Sequence, residues 1–302
     1  MNVKITKNIN EANLITHDSK FHPDDIFSTV LLSKIIKNPV LYRTSNVPEN
    51  TNAIIYDVGF GKFDHHGPNA KMRTEKIKYC SFGLLWDEYG KEYLKSITNS
   101  NIDDLHKVIE EKLVMQINGI DNGVFPTIIA EYELTDLDKI IDMFNPTWDE
   151  EPNFDEAFLK ALNIAEIIFD NVLRNEISQM KAKEIVLSKI DTVENNILIL
   201  DKYIPYNDAV FSSSNPKAKD IKVVILPSNR GGYCVKPITV SKESKELLIN
   251  FPKEYFGLHD EELQKISGIK TARFVHSTGF LGTAETLEDA ILLAKKALEN
   301  KE

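Results

Sequence analysis

Asn13-Leu14-Ile15-Thr16-His17-Asp18-Ser19-Lys20-Phe21-His22-Pro23-Asp24-Asp25 decides how the first half of the chain folds. Residues 13–16 read as a short buried strand, and a loop with two imidazoles follows. Beyond it Ile26, Phe27, Val30, Leu31 and Ile35 recur at helical spacing, which predicts a helix over 24–37. Pro23 suits the first turn of that helix, where its missing N–H is no loss. Working outward, 40–43 and 53–58 read as further buried strands, and 82–96 and 102–118 as helices. Strand, helix, strand in that order implies a parallel sheet covered by helices. Ligands of such sheets bind beyond the carboxyl ends of the strands.

A long helix is expected over 154–190, with Phe154, Phe158, Ala161, Ala165, Ile168, Val172 and Leu173 on one face, long enough to connect two domains. After it the pattern changes. Residues 196–200, 221–226, 233–238 and 272–276 read as strands, several separated by Gly/Ser/Asn/Pro clusters, and 287–300 as a closing helix. The 302 residues are enough for about two domains at roughly 100–200 residues each. The expected fold is α/β: a parallel-sheet domain over 1–195 that includes the connector helix, and a smaller mixed α/β domain over 196–302.

Apolar residues make up 42% and charged residues 27%, ordinary values for a soluble globular chain. The net charge is −10, and no basic stripe of the kind that grips long nucleic acid is visible. Small phosphate substrates, or short single-stranded ends in a local cleft, stay compatible with that balance. Cys80 and Cys234 form no CxxC and read as small buried residues in a reducing compartment. There is no signal-like N-terminus and no run of about 18 apolar residues, so a cytoplasmic protein without a membrane span is expected.

Four segments carry candidate chemistry. In His17 to Asp25 two imidazoles and one or two carboxylates can converge at a strand end. Asp57 closes the apolar run Ala53-Ile54-Ile55-Tyr56, where a buried carboxylate is costly unless paired or bound to a cation. Asp64-His65-His66 follows; if its backbone is extended, neighbouring rings point apart, so one histidine can ligate while the other faces a substrate. Asp121-Asn122-Gly123 ends the helix after it. Each has an ordinary reading alone: helix-dipole complement for Asp24 and Asp25, turn chemistry for the others. Together, hard carboxylates with a few imidazoles suit Mn²⁺ or Mg²⁺, and one Asp between two ions can bridge them. Two such ions about 3.5–4 Å apart can clamp a phosphoryl group and activate water. The chain has no phosphate-binding G-x-x-x-x-G-K-[ST] loop, no G-x-S-x-G elbow and no HExxH.

These segments resemble the DHH phosphoesterase superfamily, and within it the melanocyte-proliferating-gene (MYG) exonuclease family. The resemblance runs nearly end to end: Thr16-His17 with Phe21-His22-x-Asp24, Arg43-Thr44, Asp57-Val58-Gly59, Phe63-Asp64-His65-His66, Ile120-Asp121-Asn122-Gly123, Phe144-Asn145-Pro146-Thr147-Trp148, and Phe274-Val275-His276 with Gly279-Phe280 and Gly282. It implies that His17, His22 and Asp57 hold one ion and that Asp24, Asp57, His65 and Asp121 hold the other, Asp57 bridging. It further implies that His66 donates to an oxygen of the scissile phosphate, that Asp64 orients the histidine pair, and that Arg43 lies among the substrate contacts. A substrate-binding C-terminal domain is also implied. There Arg230-Gly231-Gly232 and His276, Gly279, Phe280 and Gly282 are candidate phosphate contacts, since glycine lets backbone approach and Arg can clamp a phosphate. Trp148 and Phe280 could stack on a base, though core packing is the expected fate of each.

The function expected is metal-dependent hydrolysis of a phosphodiester, as an exoribonuclease on single-stranded RNA ends. The alternatives are a phosphatase or pyrophosphatase acting on small phosphates or short oligonucleotides, and a non-catalytic nucleotide-sensing module. Oligomeric state is left open, a homodimer among the options.

Overall fold

The computed structural model describes residues 2–67, 70–125, 127, 129 and 131–300. In the first half β1 (Lys4–Ile5), β2 (Leu14–Thr16), β3 (Val40–Arg43) and β4 (Ile54–Ile55) form an all-parallel sheet in the order β1-β3-β2-β4. The register sets Thr16 beside Arg43 and Ile15 beside Ile55. The chain therefore leaves β2 into His17, β3 into Thr44 and, through Tyr56, β4 into Asp57 at one edge. This is where a parallel α/β sheet offers a ligand site.

Helix α1 (Pro23–Ile35) joins β2 to β3. Every residue from Pro23 to Leu32 is buried, because the helix packs against α2 (Ser81–Ile97), α4 (Met115–Asp121) and α5 (Leu137–Asp142). The expected helix 102–118 is α3 (Ile102–Ile109) continued through a π-helical turn, Glu110–Val114, into α4, so one helical path ends on Asp121. The expected strand 53–58 is shorter than read: Asp57 takes φ +58° and breaks the extended run, although Tyr56 still bridges to Phe63.

Helix α6 (Phe154–Lys189) is the expected long helix. The chain divides within it into two compact units, Met1–Ser178 and Gln179–Glu302, whereas the sequence reading sets its boundary near residue 195. In the second unit β5 (Ile197–Ile199), β6 (Val223–Pro227), β7 (Tyr233–Pro237), β8 (Ala272–Val275) and β9 (Gly282–Ala284) form a mixed sheet, order β5-β6-β7-β9-β8, with β5 parallel to β6 and the rest antiparallel. Side chains alternate across it. Val223 and Ile225 pack under α8 (Asp260–Ser267) and α9 (Leu287–Glu299), through Leu263 and Leu293. Val224 and Leu226 pack on the other face with Ala209 and Val210 of α7 (Asn207–Ser212) and with Val186.

Cys80 and Cys234 are both free and buried, as expected. Trp148 is not in the core: it is 95% exposed, and Phe280 is 44% exposed. Among the described residues no helix is long and apolar enough to cross a membrane.

Candidate metal centre

The four segments converge in the first unit. His17 leaves β2 with its Nδ1 2.9 Å from the Asp18 carbonyl, a contact that fixes the ring and turns Nε2 inward. There Nε2 lies 3.2 Å from Asp25 Oδ2 and 3.3 Å from Asp57 Oδ2. Burial opposes charge on the ring, but the Asp25 and Asp57 carboxylates beside it outweigh that and push His17 up to about 11. His65 Nε2 lies 3.1 Å from Asp57 Oδ1, 3.3 Å from Asp121 Oδ2 and 3.6 Å from Asp24 Oδ2. Asp57 thus stands between the two histidines, one oxygen toward each. Its pKa is raised well above the usual carboxylate range by burial and then by Asp24; the same two causes push Asp121 up to about 8.

Asp24 is held from behind. Ser81 donates to its Oδ2 through Oγ at 2.9 Å and through the backbone N–H at 3.3 Å, while Oδ1 has no partner. His17 Nε2, Asp25 Oδ2, Asp57 Oδ1, His65 Nε2 and Asp121 Oδ2 are likewise buried without a hydrogen bond. An orphaned buried polar atom typically costs about 1–3 kcal/mol, so six in one cluster ask for a ligand. The cluster offers imidazole nitrogens and carboxylate oxygens, and ligand atoms within 4.8 Å of one another occur in the groups His17–Asp25–Asp57, Asp24–His65–Asp121 and Asp57–His65–His66. That donor set fits hard divalent cations, whose charge would also reverse the raised carboxylate values.

Asp64 has a separate job. Its Oδ1 accepts the His66 backbone N–H at 2.9 Å and lies 2.8 Å from His66 Nδ1; its Oδ2 accepts the Phe60 N–H at 2.6 Å. Burial works against the carboxylate, yet these donors pull Asp64 down to about 2. In return its hydrogen bond raises the pKa of His66, favouring the form in which both ring nitrogens donate. The two imidazoles of the pair do not point apart: their centroids are 4.1 Å apart and the planes inclined by 38°. They differ instead in depth, His65 buried and His66 at the rim.

His22 caps α1 and lines the cleft over the cluster, its ring centroid 5.8 Å from that of His17. It lies outside the three ligand groups, and Asp25 lies inside one of them. In the sequence Asp25 belongs to the first candidate segment but reads equally well as a complement to the helix dipole: a helix buried on all sides has no periodicity that marks one carboxylate as special. Its Oδ1 accepts the His22 N–H at 2.9 Å, which leaves Oδ2 for His17. The cleft has a volume of about 740 Å³, and its walls include Lys78, Asn122 and Asp138.

Arg43, expected among the substrate contacts, is buried and already engaged. Its guanidinium donates to the Ser19 carbonyl at 2.8 Å, the Phe154 carbonyl at 3.2 Å and Asp155 at 3.3 Å, and lies 4.4 Å from the centre of the Phe158 ring. It braces the His17 loop against the start of α6. Asn145 braces the same loop from another side, donating to the Phe21 carbonyl and accepting its N–H.

In the second unit Arg230 is exposed on the β6–β7 turn beside Gly231 and Gly232, which take φ of +85° and +68°. A side chain on Gly232 would meet the Ala284 carbonyl at 2.4 Å. The His276 ring lies against that of Phe280, centroids 4.4 Å apart and planes inclined by 55°, in the β8–β9 turn with Gly279, and Gly282 opens β9. Since Tyr233 pairs with Ala284 and Val235 with Gly282, the two turns lie at opposite ends of the strands.

A family model, MYG1_exonuc, described as an uncharacterised protein family (UPF0160), matches residues 13–298. The chain is 30% identical to the MYG1 protein of Dictyostelium discoideum, over 96% of this chain and 97% of that one. It is 32% identical to a MYG1 protein of Caenorhabditis elegans over 94% of each, and 24% identical to the MYG1 exonuclease of Homo sapiens over 95% of this chain and 85% of the human one.

Proposed function

The chain belongs to the MYG1 exonuclease family, and from that premise we propose that it hydrolyses phosphodiester bonds at the ends of single-stranded RNA, with two divalent cations, Mn²⁺ or Mg²⁺, in its first unit. The observation that carries this reading is the set of six buried nitrogen and oxygen atoms around Asp57 that lack a hydrogen bond. His17, Asp25 and Asp57, with His22 beside them, would hold one cation; Asp24, Asp57, His65 and Asp121 would hold the other. Bound there, the pair would supply Lewis acidity, lowering the pKa of water and screening the phosphate charge.

The remaining work belongs to side chains. Asp64 holds His66 so that its free ring nitrogen donates to a phosphate oxygen as negative charge grows. Ser81 and the Asp18 carbonyl keep Asp24 and His17 in orientation. Arg230, Gly231, Gly232, His276, Gly279, Phe280 and Gly282 are the substrate contacts proposed for the second unit. Exposed Trp148 adds a surface on which a base could stack. The two free, buried cysteines suit a cytoplasmic protein.

The test strips metal from the full chain, restores Mn²⁺ or Mg²⁺, and offers RNA, DNA, dinucleotides and pyrophosphate side by side. Metal-dependent release of nucleotides from RNA ends is expected, and Asp57→Asn should lose at least about 10²–10³-fold in turnover, the scale of removing one dedicated charge-stabilising group. No product from any substrate would overturn the enzyme reading. A second reading, hydrolysis of small phosphates, is favoured by the net charge of −10; turnover confined to pyrophosphate and dinucleotides would select it.

A further inference from the structure

The cleft over the metal centre is acidic, with Asp57, Asp121 and Asp138 in its walls, and among the described residues that line it Lys78 is the one lysine or arginine. Neighbouring cations are spoken for: Lys62 pairs with Glu88 and Lys71 with Asp87, each at 2.6 Å, and Arg73 pairs with Glu110. Lys78 forms no ion pair among the described residues and is exposed. Its backbone, by contrast, is tied to the metal-centre residues. Asn122 Nδ2 donates to the Lys78 carbonyl at 3.2 Å, and the Cys80 N–H donates to Asn118 Oδ1 at 2.7 Å, both from the helix end that carries Asp121. Ser81, three residues on, holds Asp24. A free ammonium is thus mounted on a fixed base at the lip of a carboxylate-lined cleft.

A phosphate at the bottom of such a cleft meets the cluster and His66; an ammonium at the lip is out of that company and suits the next phosphate along a chain. We propose that Lys78 is a substrate-binding residue whose ammonium holds a non-bridging oxygen of the phosphate that flanks the scissile one, on the Asp121 side of the cleft. The substrate class that gains from it is a nucleotide chain with at least two consecutive phosphates, over a dinucleotide with one. This inference rests on the phosphodiesterase reading of the same cleft.

The experiment compares the full chain with its Lys78→Gln and Lys78→Arg variants, Mn²⁺ supplied, on a single-stranded oligoribonucleotide and on a dinucleotide monophosphate. Lys78→Gln should raise KM for the oligonucleotide about 10- to 100-fold, the span of one charge-assisted hydrogen bond, with kcat within about twofold and the dinucleotide almost unaffected. Lys78→Arg should recover most of the loss. The slope of log(1/KM) against log[salt] should become shallower by about 0.7, the share of one phosphate contact on a single strand. Mn²⁺ binding in equilibrium dialysis should not change. An unaltered KM, equal damage to both substrates, or loss of Mn²⁺ binding would each overturn the assignment. If the unaltered chain cleaves neither substrate, the hydrolase reading is what fails. Binding of a phosphorothioate oligonucleotide with Ca²⁺ in place of Mn²⁺, followed by fluorescence anisotropy, then decides Lys78 alone: equal affinity, or no affinity, of the unaltered chain and Lys78→Gln refutes it.

Discussion

Asp57 adopts φ +58° while 3% exposed, in the left-handed region that non-glycine residues enter sparingly and mainly where surrounding structure holds them. The turn it makes after Tyr56 lets one carboxylate address His17 and His65 together, at 3.3 and 3.1 Å. An extended residue at the same point would aim its side chain to one face of the sheet. A second residue-scale consequence lies away from the centre. His106 is buried, its ring stacked on Trp86 at 5.1 Å and its Nε2 3.2 Å from the Trp86 carbonyl. Burial lowers its pKa below the ordinary 6.5, against the smaller upward pull of that hydrogen bond. The unfolded chain therefore binds a proton there that the folded chain resists, so stability present above pH 6.5 is lost as pH falls toward the depressed native value. His106→Phe keeps a stacked ring and removes the titration; its denaturation midpoint should fall less steeply between pH 7 and 5, and parallel curves for the two proteins would refute the assignment. At this scale the sequence made the carboxylates at strand and helix ends legible, because burying them without partners is costly. It could not make Asp25 or the brace at Arg43 legible, since both depend on what faces a side chain across the fold: His17 for one, the Ser19 and Phe154 carbonyls for the other.

Between elements, the centre depends on how closely α2 approaches α4. A Cβ on Gly83 would stand 2.3 Å from Asn118 Oδ1. Asn118 is fully buried, accepts the Cys80 N–H ahead of α2, and lies one turn before Asp121. Gly83→Ala should therefore force the two helices apart, destabilising the fold by roughly 1–3 kcal/mol as overpacking does, and Mn²⁺ affinity should fall with it because Asp121 moves with α4. Thermal unfolding and Mn²⁺ titration check this; unchanged stability together with unchanged affinity would show that the contact gives way without consequence. Periodicity revealed long helices such as α2 and α6 because a half-buried helix must repeat its apolar face. The two-residue strand β1, the Gly-Thr-Ala strand β9 and the charged helix α8 carry too few apolar residues to leave that trace. The strand expected over 53–58 runs past the real one because apolar character resumes at Val58, while the backbone turns at Asp57.

Across the whole molecule, 46 acidic against 36 basic residues set up a field that repels a polyanion, so affinity for RNA would have to come from a few local contacts, of which the proposed ones are the cations of the candidate metal centre, Lys78 and Arg230. Counterion release makes that number measurable, because each phosphate neutralised on a single strand contributes about −0.7 to the slope of log(kcat/KM) against log[salt]. Two or three such contacts predict a slope of roughly −1.5 to −2, or about an 8- to 16-fold fall between 50 and 200 mM salt on a long RNA. A hydrolase of small phosphates on the same acidic scaffold would show a much flatter profile with pyrophosphate, and just as flat a profile on long RNA, since extra nucleotides would then touch nothing cationic. Measured in parallel with Mn²⁺ held saturating, a steep line for RNA beside a flat one for pyrophosphate is the expected outcome. Two flat lines would remove the exoribonuclease reading while leaving the hydrolytic centre in place.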